Sequence, residues 1–227
     1  MKGKTMPKSR RDDASKEGQS LVQYVVERIT KGVEQGRYVP GQRLIAADLA
    51  EEFDVSRAPV REALHVLAGE GVVDLTPNRG AMIRKVSNKE LIDLLDFTEA
   101  ICVLGVRLAT PKMNRPKNRK IMDAAVQRIR DAYDNRIPLP FIRTLYQYHV
   151  DLNEISGNFF VNFFYRRVPF HFFNPLFAEA IPSSAAQWDG FMKDYEHIHA
   201  ALLTLDPHIS TTSFITHMQW VISLVRK

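Results

Sequence analysis

The chain has 227 residues, and 45% of them are hydrophobic, which is enough for a substantial core and excludes a wholly disordered protein. The formal net charge of +5 is compatible with nucleic-acid binding, but the excess is spread along the chain, so a DNA-binding surface must be a local patch. A single cysteine excludes an intrachain disulfide, and no apolar run approaches the roughly 18–20 residues of a membrane span, so we expect a cytoplasmic protein without a membrane partner.

The N-terminal region is predicted to be a tail followed by two helices. Residues 1–18 are polar and form a flexible tail, either solvated or contacting DNA. From residue 19, apolar residues recur at three- and four-residue spacing, which predicts a helix that ends near Gly36. After the turn at Pro40 and Gly41, a second short helix is predicted over residues 46–53.

A third helix and a hairpin complete this region. The connection 54–56 is tight, and Ser56 is expected to cap a helix that starts near Arg57, with Pro59 in its first turn. Two alternating segments, 72–76 and 81–86, flank a Pro-Asn-Arg-Gly turn. Three helices and a hairpin in this order predict a winged helix-turn-helix.

The third helix has the division of faces that a recognition helix needs. Its apolar residues form one stripe, whereas Arg57, Arg61 and His65 follow each other at four-residue spacing on the other face. An arginine guanidinium can bind guanine O6 and N7, or a phosphate, through two hydrogen bonds. An ordinary solvated face is the alternative for this helix alone, but the tight turn before it and the hairpin after it favour DNA reading.

The segments VSRAPVREAL, LAGEGVV and NRGA resemble the DNA-binding domain of the GntR family of bacterial regulators, and the likeness covers residues 19–86. The resemblance implies that Arg57 and Arg61 are recognition-helix arginines. It also implies that Arg79 and Gly80 form a wing tip that enters the minor groove.

The remainder, residues 87–227, is predicted to be an all-α bundle, so the whole protein is mainly α. Ser87 is expected to cap a helix that runs to about residue 109, and residues 111–117 are interpreted as a linker. The further predicted helices cover residues 118–133, 139–156, 158–167, 185–205 and 208–225.

The segments YHVDLNEISGN and EHIHAALLTLDPHISTTSFITHM resemble the FadR branch of the GntR family. That resemblance implies a helical effector-binding domain of the FCD type, a homodimer, and a divalent metal such as Zn²⁺ or Ni²⁺. His149, His197 and His217 fall on the histidine positions, but Leu145 stands where the branch has an Asp ligand. Asn153, one turn after His149, is a weak substitute.

The same resemblance implies an effector pocket lined by Thr98, Asn153 and the three histidines. Thr98 occupies a position where the branch often has an Arg for an effector carboxylate, and Cys102 stands where an acid is common. We expect Cys102 to be a small buried hydrophobe. The stretch 158–174 is dense in Phe, and it is either core plus dimer interface or the lining of a pocket for an aromatic or otherwise apolar effector.

These features together predict a homodimeric, ligand-responsive regulator, most simply a repressor of a catabolic operon such as one for aromatic compounds, acting on a pseudo-palindromic operator. Two alternatives stay open. A metal-dependent enzyme fused to a helix-turn-helix is disfavoured because the sequence has no H-E-x-x-H and no evident nucleophile–base pair. A sequence-independent architectural DNA binder is disfavoured by the modest charge.

Overall fold

The computed structural model describes residues 20–76, 80–167 and 185–226. They form two compact units that divide between Lys85 and Val86. The predicted N-terminal tail lies outside the described residues. No helix in the described ranges is both long enough and apolar enough to cross a membrane.

The first unit contains three helices and a small antiparallel sheet. Its elements in chain order are α1 (Leu21–Glu34), β1 (Arg43–Leu44), α2 (Ala46–Glu52), α3 (Arg57–Gly69), β2 (Val73–Thr76) and β3 (Gly80–Ile83). The sheet order is β1-β3-β2, with both pairs antiparallel. The predicted winged helix-turn-helix is therefore confirmed. Strand β1 was not predicted, because two residues are too few to show an alternating pattern.

Helix α1 is anchored by its apolar face. Ser20 caps it by accepting a hydrogen bond from the Gln23 amide at 3.2 Å, and Val25 and Ile29 are fully buried. The helix ends at Glu34, and Gly36 then adopts a left-handed φ of 73°, which glycine reaches at little steric cost.

The second unit is helical throughout its described residues. Its elements are α4 (Asn88–Ala109), a 3-10 helix (Thr110–Asn114), α5 (Pro116–Asn135), α6 (Pro138–Ser156), α7 (Phe159–Tyr165), α8 (Ala185–Leu203) and α9 (Pro207–Val225). The predicted all-α bundle is confirmed. The interpretation of residues 111–117 as a linker is wrong, because Pro111 and Pro116 start helical turns, where a missing N–H leaves no hydrogen bond broken.

Helix α4 lies at the centre of this bundle and packs against α6 and α9. A capping box fixes its start, since Ser87 Oγ accepts from the Glu90 amide and the Glu90 carboxylate accepts from the Ser87 amide. The residues that α4 buries include Thr98, Cys102 and Gly105, so its inward face carries small and polar side chains where a plain core would carry large apolar ones.

Candidate functional sites: a DNA-reading face and a buried polar cluster

Helix α3 separates an anchoring face from an exposed one. Val60, Ala63, Leu64 and Leu67 are buried against the first unit. Arg57, Arg61 and His65 are all exposed. Because residues four apart lie on one side of a helix, the three side chains form a continuous stripe of hydrogen-bond donors on the outside of the domain.

Ser56 occupies the N-cap position of α3, but its side chain makes no capping hydrogen bond. The prediction of a side-chain cap is wrong. An N-cap hydroxyl accepts from the second or third amide of the helix, and Pro59 at the third position has no N–H, which leaves Ala58 as the one remaining donor. Ser56 is exposed beside Arg57, which leaves its hydroxyl free of a structural task within the described residues.

The wing lies on the same side of the first unit as this stripe. Arg61, His65, Thr76 and Gly80 line one open cleft of about 460 Å³ between helix and wing. Gly80 has a φ of 84° and pairs with Thr76 at the start of β3, a conformation that favours glycine. Arg79, the predicted minor-groove residue, lies outside the described residues.

The second unit buries four of its five predicted pocket residues. Thr98 on α4, His149 and Asn153 on α6, and His217 on α9 are each at most 6% exposed. Asn153 Nδ2 lies 3.9 Å from Cys102 Sγ, one helical turn after Thr98, so the polar faces of α4 and α6 meet. Cys102 is fully buried, as expected.

His197 does not belong to this group, because its side chain is exposed. The residue that α8 points at His149 is Tyr195, whose hydroxyl lies 2.8 Å from His149 Nε2. Tyr195 also packs its ring against His217, with 5.0 Å between ring centroids. The prediction that three histidines converge is therefore wrong for His197, and Tyr195 carries no sequence signal that separates it from an ordinary core aromatic.

The residues present do not fit a bound metal ion. His197, one of the three predicted histidine ligands, is exposed, so only His149 and His217 are buried in the interior. Leu145, at the position of the expected Asp ligand, is buried and has no ligand atom. Within the described ranges, no three His, Cys, Asp or Glu side chains come together in a group that could hold a metal.

Instead, the interior holds polar atoms that lack hydrogen-bond partners among the described residues. Four of them belong to what we call the polar cluster: Thr98 Oγ1, Tyr148 OH, His149 Nδ1 and Asn153 Oδ1. A buried polar atom left unpaired destabilises a fold by about 1–3 kcal/mol, so such atoms are nearly always paired with protein, ordered water or a ligand. Such a cluster is unsuited to being core alone and is suited to binding a polar molecule.

The polar cluster is electrically neutral near pH 7. Burial, together with the nearby His217, lowers the pKa of His149 to about 3. Burial raises the pKa of the Cys102 thiol to about 12 and that of the Tyr148 phenol still further. Desolvation therefore keeps the imidazole, the thiol and the phenol in their uncharged forms.

The aromatic residues of the stretch 158–174 that the structure describes are partly exposed and partly buried. On α7, Phe159, Phe160 and Phe164 are between 49% and 68% exposed, so the idea that the Phe rings line a pocket is wrong for these three. Tyr165 is the ring that turns inward, 6.1 Å from the ring centroid of His149. Residues 168–174 lie outside the described residues.

Comparison with known proteins places the first unit in a family. The model for bacterial regulatory proteins of the gntR family matches residues 21–83. The Nta operon transcriptional regulator of Aminobacter aminovorans is 39% identical over 70 residues, which is 31% of this chain and 33% of the relative. The repressor RspR of Escherichia coli K12 is 35% identical over 72 residues, or 31% of this chain and 32% of the relative.

The likeness extends further in fold than in sequence. An HTH-type regulator of Bacillus subtilis, YdhC, is 24% identical over 131 residues, which is 57% of this chain and 58% of the relative. The three sequence matches therefore cover from about a third to about three fifths of the relatives' own length. The solved structure of E. coli McbR/YncC superposes with a TM-score of 0.73 at 20% identity, over 92% of this chain and 98% of that one. A Rhodococcus sp. RHA1 protein described as a transcriptional regulator GntR gives 0.74 at 18%, with the same coverage. These structural matches show a shared fold, and the sequence matches add that residues 21–83 of this chain are a winged helix-turn-helix of the gntR family of bacterial regulatory proteins.

Proposed function

We propose that this protein is a sequence-specific transcriptional regulator whose α3 and wing bind an operator and whose helical unit binds a small-molecule effector. The observation that carries the proposal is the face of α3. Three donor side chains, Arg57, Arg61 and His65, are exposed on a helix whose opposite face is buried. Side chains presented in this way reach base edges in the major groove.

The finer features of the proposal rest on the family and on symmetry. We expect a homodimer, because two recognition helices related by a twofold axis match a pseudo-palindromic operator. We place the chain in the FadR branch, with the helical unit as its sensor. Repression of a catabolic operon in the bacterial cytoplasm is the expected mode, and it is supported by a relative that is named a repressor.

An electrophoretic mobility shift assay with DNA from upstream of the protein's own gene tests the proposal. We expect a shifted complex that unlabelled specific DNA displaces and that random DNA of equal length does not. Arg61→Ala should weaken binding by about 10–100-fold, the effect of losing one bidentate base contact of about 1–3 kcal/mol.

Arg130→Ala is the matched control, since it removes the same charge from an exposed ion pair with Glu196 in the helical unit. Its operator affinity should stay close to that of the wild type. Equal affinity for specific and random DNA would contradict the proposal and favour the architectural alternative.

A further inference from the structure

We infer that the polar cluster binds an uncharged molecule that carries a hydroxyl or N–H donor on an apolar body, and that it does so without a metal ion. The inference rests on the proposed sensing role of the helical unit and specifies the ligand class. It follows from the hydrogen bonds that the cluster does not make among the described residues, from the absence of buried Lys, Arg, Asp and Glu among them, and from the aromatic walls of the cluster.

The Thr98 hydroxyl makes no hydrogen bond to its own helix. Thr110, at the end of the same helix, donates from Oγ1 to the Val106 carbonyl at 2.7 Å, which is the usual way for a helical threonine to satisfy itself. Thr98 Oγ1 makes no such bond and has no partner among the described residues, although Thr98 is only 5% exposed. Its hydroxyl is therefore available to a ligand as donor or acceptor.

Asn153 sets the polarity of the ligand. Its amide nitrogen is directed at Cys102 Sγ, whereas its oxygen lies over Gly105 without a donor among the described residues. A glycine is needed there, since a Cβ at residue 105 would come within 2.1 Å of Asn153 Oδ1. The oxygen can only accept, so it favours a ligand that presents an O–H or N–H at this point.

Among the described residues there is no buried Lys or Arg that could balance an anionic ligand. In the described part of the chain no Lys, Arg, Asp or Glu is buried, and the buried His217 ring already lies 2.9 Å from the Asp194 carboxylate. Lys112, which is half-buried, donates to the Ser156 carbonyl. An anion entering this site would lose its hydration without gaining a charge partner.

Aromatic rings surround His149 on several sides. The centroids of Tyr148, Tyr165, Tyr195 and Phe214 lie 5.4–6.1 Å from that of the imidazole. Rings at these distances pack directly against the imidazole, so the walls of the polar cluster are apolar. The polar atoms then select the hydroxyl or N–H, and the rings favour an apolar body.

Phenol and benzoate are the probes, because they share a ring and differ in charge. We expect phenol at millimolar concentration to raise the melting temperature of the full-length protein at neutral pH in a saturable manner, and benzoate to have no such effect. Stronger stabilisation by benzoate than by phenol would overturn the inference, and so would a lack of stabilisation by either compound.

Thr98→Val tests whether the hydroxyl acts on the ligand. It removes an unpaired hydroxyl while keeping the shape, so the free protein should melt at the wild-type temperature or above, while phenol should bind about tenfold more weakly. Thr110→Val is the matched control and should show the reverse, a lower melting temperature with unchanged phenol affinity. Tyr148→Phe provides a second test of the same kind. Wild-type phenol affinity in both Thr98→Val and Tyr148→Phe would overturn the inference.

The metal is tested separately. Prolonged dialysis against EDTA should leave phenol binding unchanged, and a Zn²⁺-dependent stabilisation that is lost in His149→Ala would contradict metal-free binding. The mobility shift assay keeps the two proposals apart. If the protein binds its operator specifically but does not prefer phenol to benzoate, only the ligand class is refuted. If it binds operator and random DNA equally, the regulatory role is refuted.

Discussion

His149 is the central polar residue in the interior of the helical unit. Its ring is 6% exposed, it shares a hydrogen bond with the Tyr195 hydroxyl, and its other nitrogen has no partner among the described residues. Since burial and the neighbouring His217 oppose protonation, the folded protein holds this imidazole in its neutral form.

This depressed pKa predicts a pH dependence of stability. In the unfolded chain the His149 imidazole takes up a proton near pH 6.5, whereas in the folded protein it does so only near pH 3. The unfolded state therefore binds more protons between these values, and the free energy of unfolding should fall as the pH drops below 6.5, by up to about 1.4 kcal/mol per pH unit from this group. Urea unfolding at a series of pH values measures the slope.

His149→Gln should reduce that slope by the same amount. His197→Gln removes an exposed imidazole two positions after Tyr195 and should retain the wild-type slope. If His149→Gln and the wild type lose stability in parallel below pH 6.5, the buried neutral imidazole is refuted.

At the scale of elements, α1 is held to α2 by a contact that requires a glycine. The Tyr38 ring lies against Gly32, where an added Cβ would come within 2.4 Å of ring carbon Cε2. The same tyrosine donates its hydroxyl to Glu52 Oε1 at 2.8 Å, and Arg37 pairs with that carboxylate. The loop after α1 is thereby fastened to the end of α2, which sets the position of the helix-turn-helix.

We predict that Gly32→Ala destabilises the protein by about 1–3 kcal/mol, because the ring must move and its hydrogen bond to Glu52 weakens. Gly69→Ala is the matched control. Gly69 is also helical, and a Cβ there meets nothing within 4 Å, so alanine should be neutral or stabilising by up to about 1 kcal/mol. Chemical denaturation of both variants decides the matter, and equal effects would contradict the close contact.

At the scale of the whole molecule, the proposed homodimer makes a geometric prediction. Two α3 helices related by symmetry read half-sites that face the same side of the duplex. Inserting about five base pairs between the half-sites turns one of them to the far side, so affinity should fall towards that of a single half-site. Mobility shifts with the original and the lengthened operator measure this. The control is an insertion of about ten base pairs, which is one helical turn and brings both half-sites back to the same side of the duplex. Unchanged affinity for both lengthened sites would argue against a rigid dimer.

Local pattern was sufficient for most of the elements. Helix α6 was predicted over residues 139–156 and spans Pro138–Ser156, and α9 was predicted over 208–225 and spans Pro207–Val225. The buried and the exposed face of α3 could also be predicted from the sequence, since both faces arise from residue spacing within one helix. The Ser56 side-chain cap is absent, and the proline at the third helical position, which the sequence also contains, removes one of its two possible donors.

The side chains that meet in the interior of the helical unit could not be predicted from the sequence in the same way. Tyr195 and His197 are two residues apart, and two residues of an α-helix differ by about 200° in direction, so a small error in register replaces an inward side chain by an outward one. Which of them faces His149 depends on how α8 rotates against α6, and that rotation is settled by the packing of residues far apart in the chain. The sequence by itself determined the DNA-reading domain, because its signals are local. Only the tertiary structure decided that Tyr195, and not His197, contacts His149, because that contact joins helices whose mutual rotation no single segment encodes.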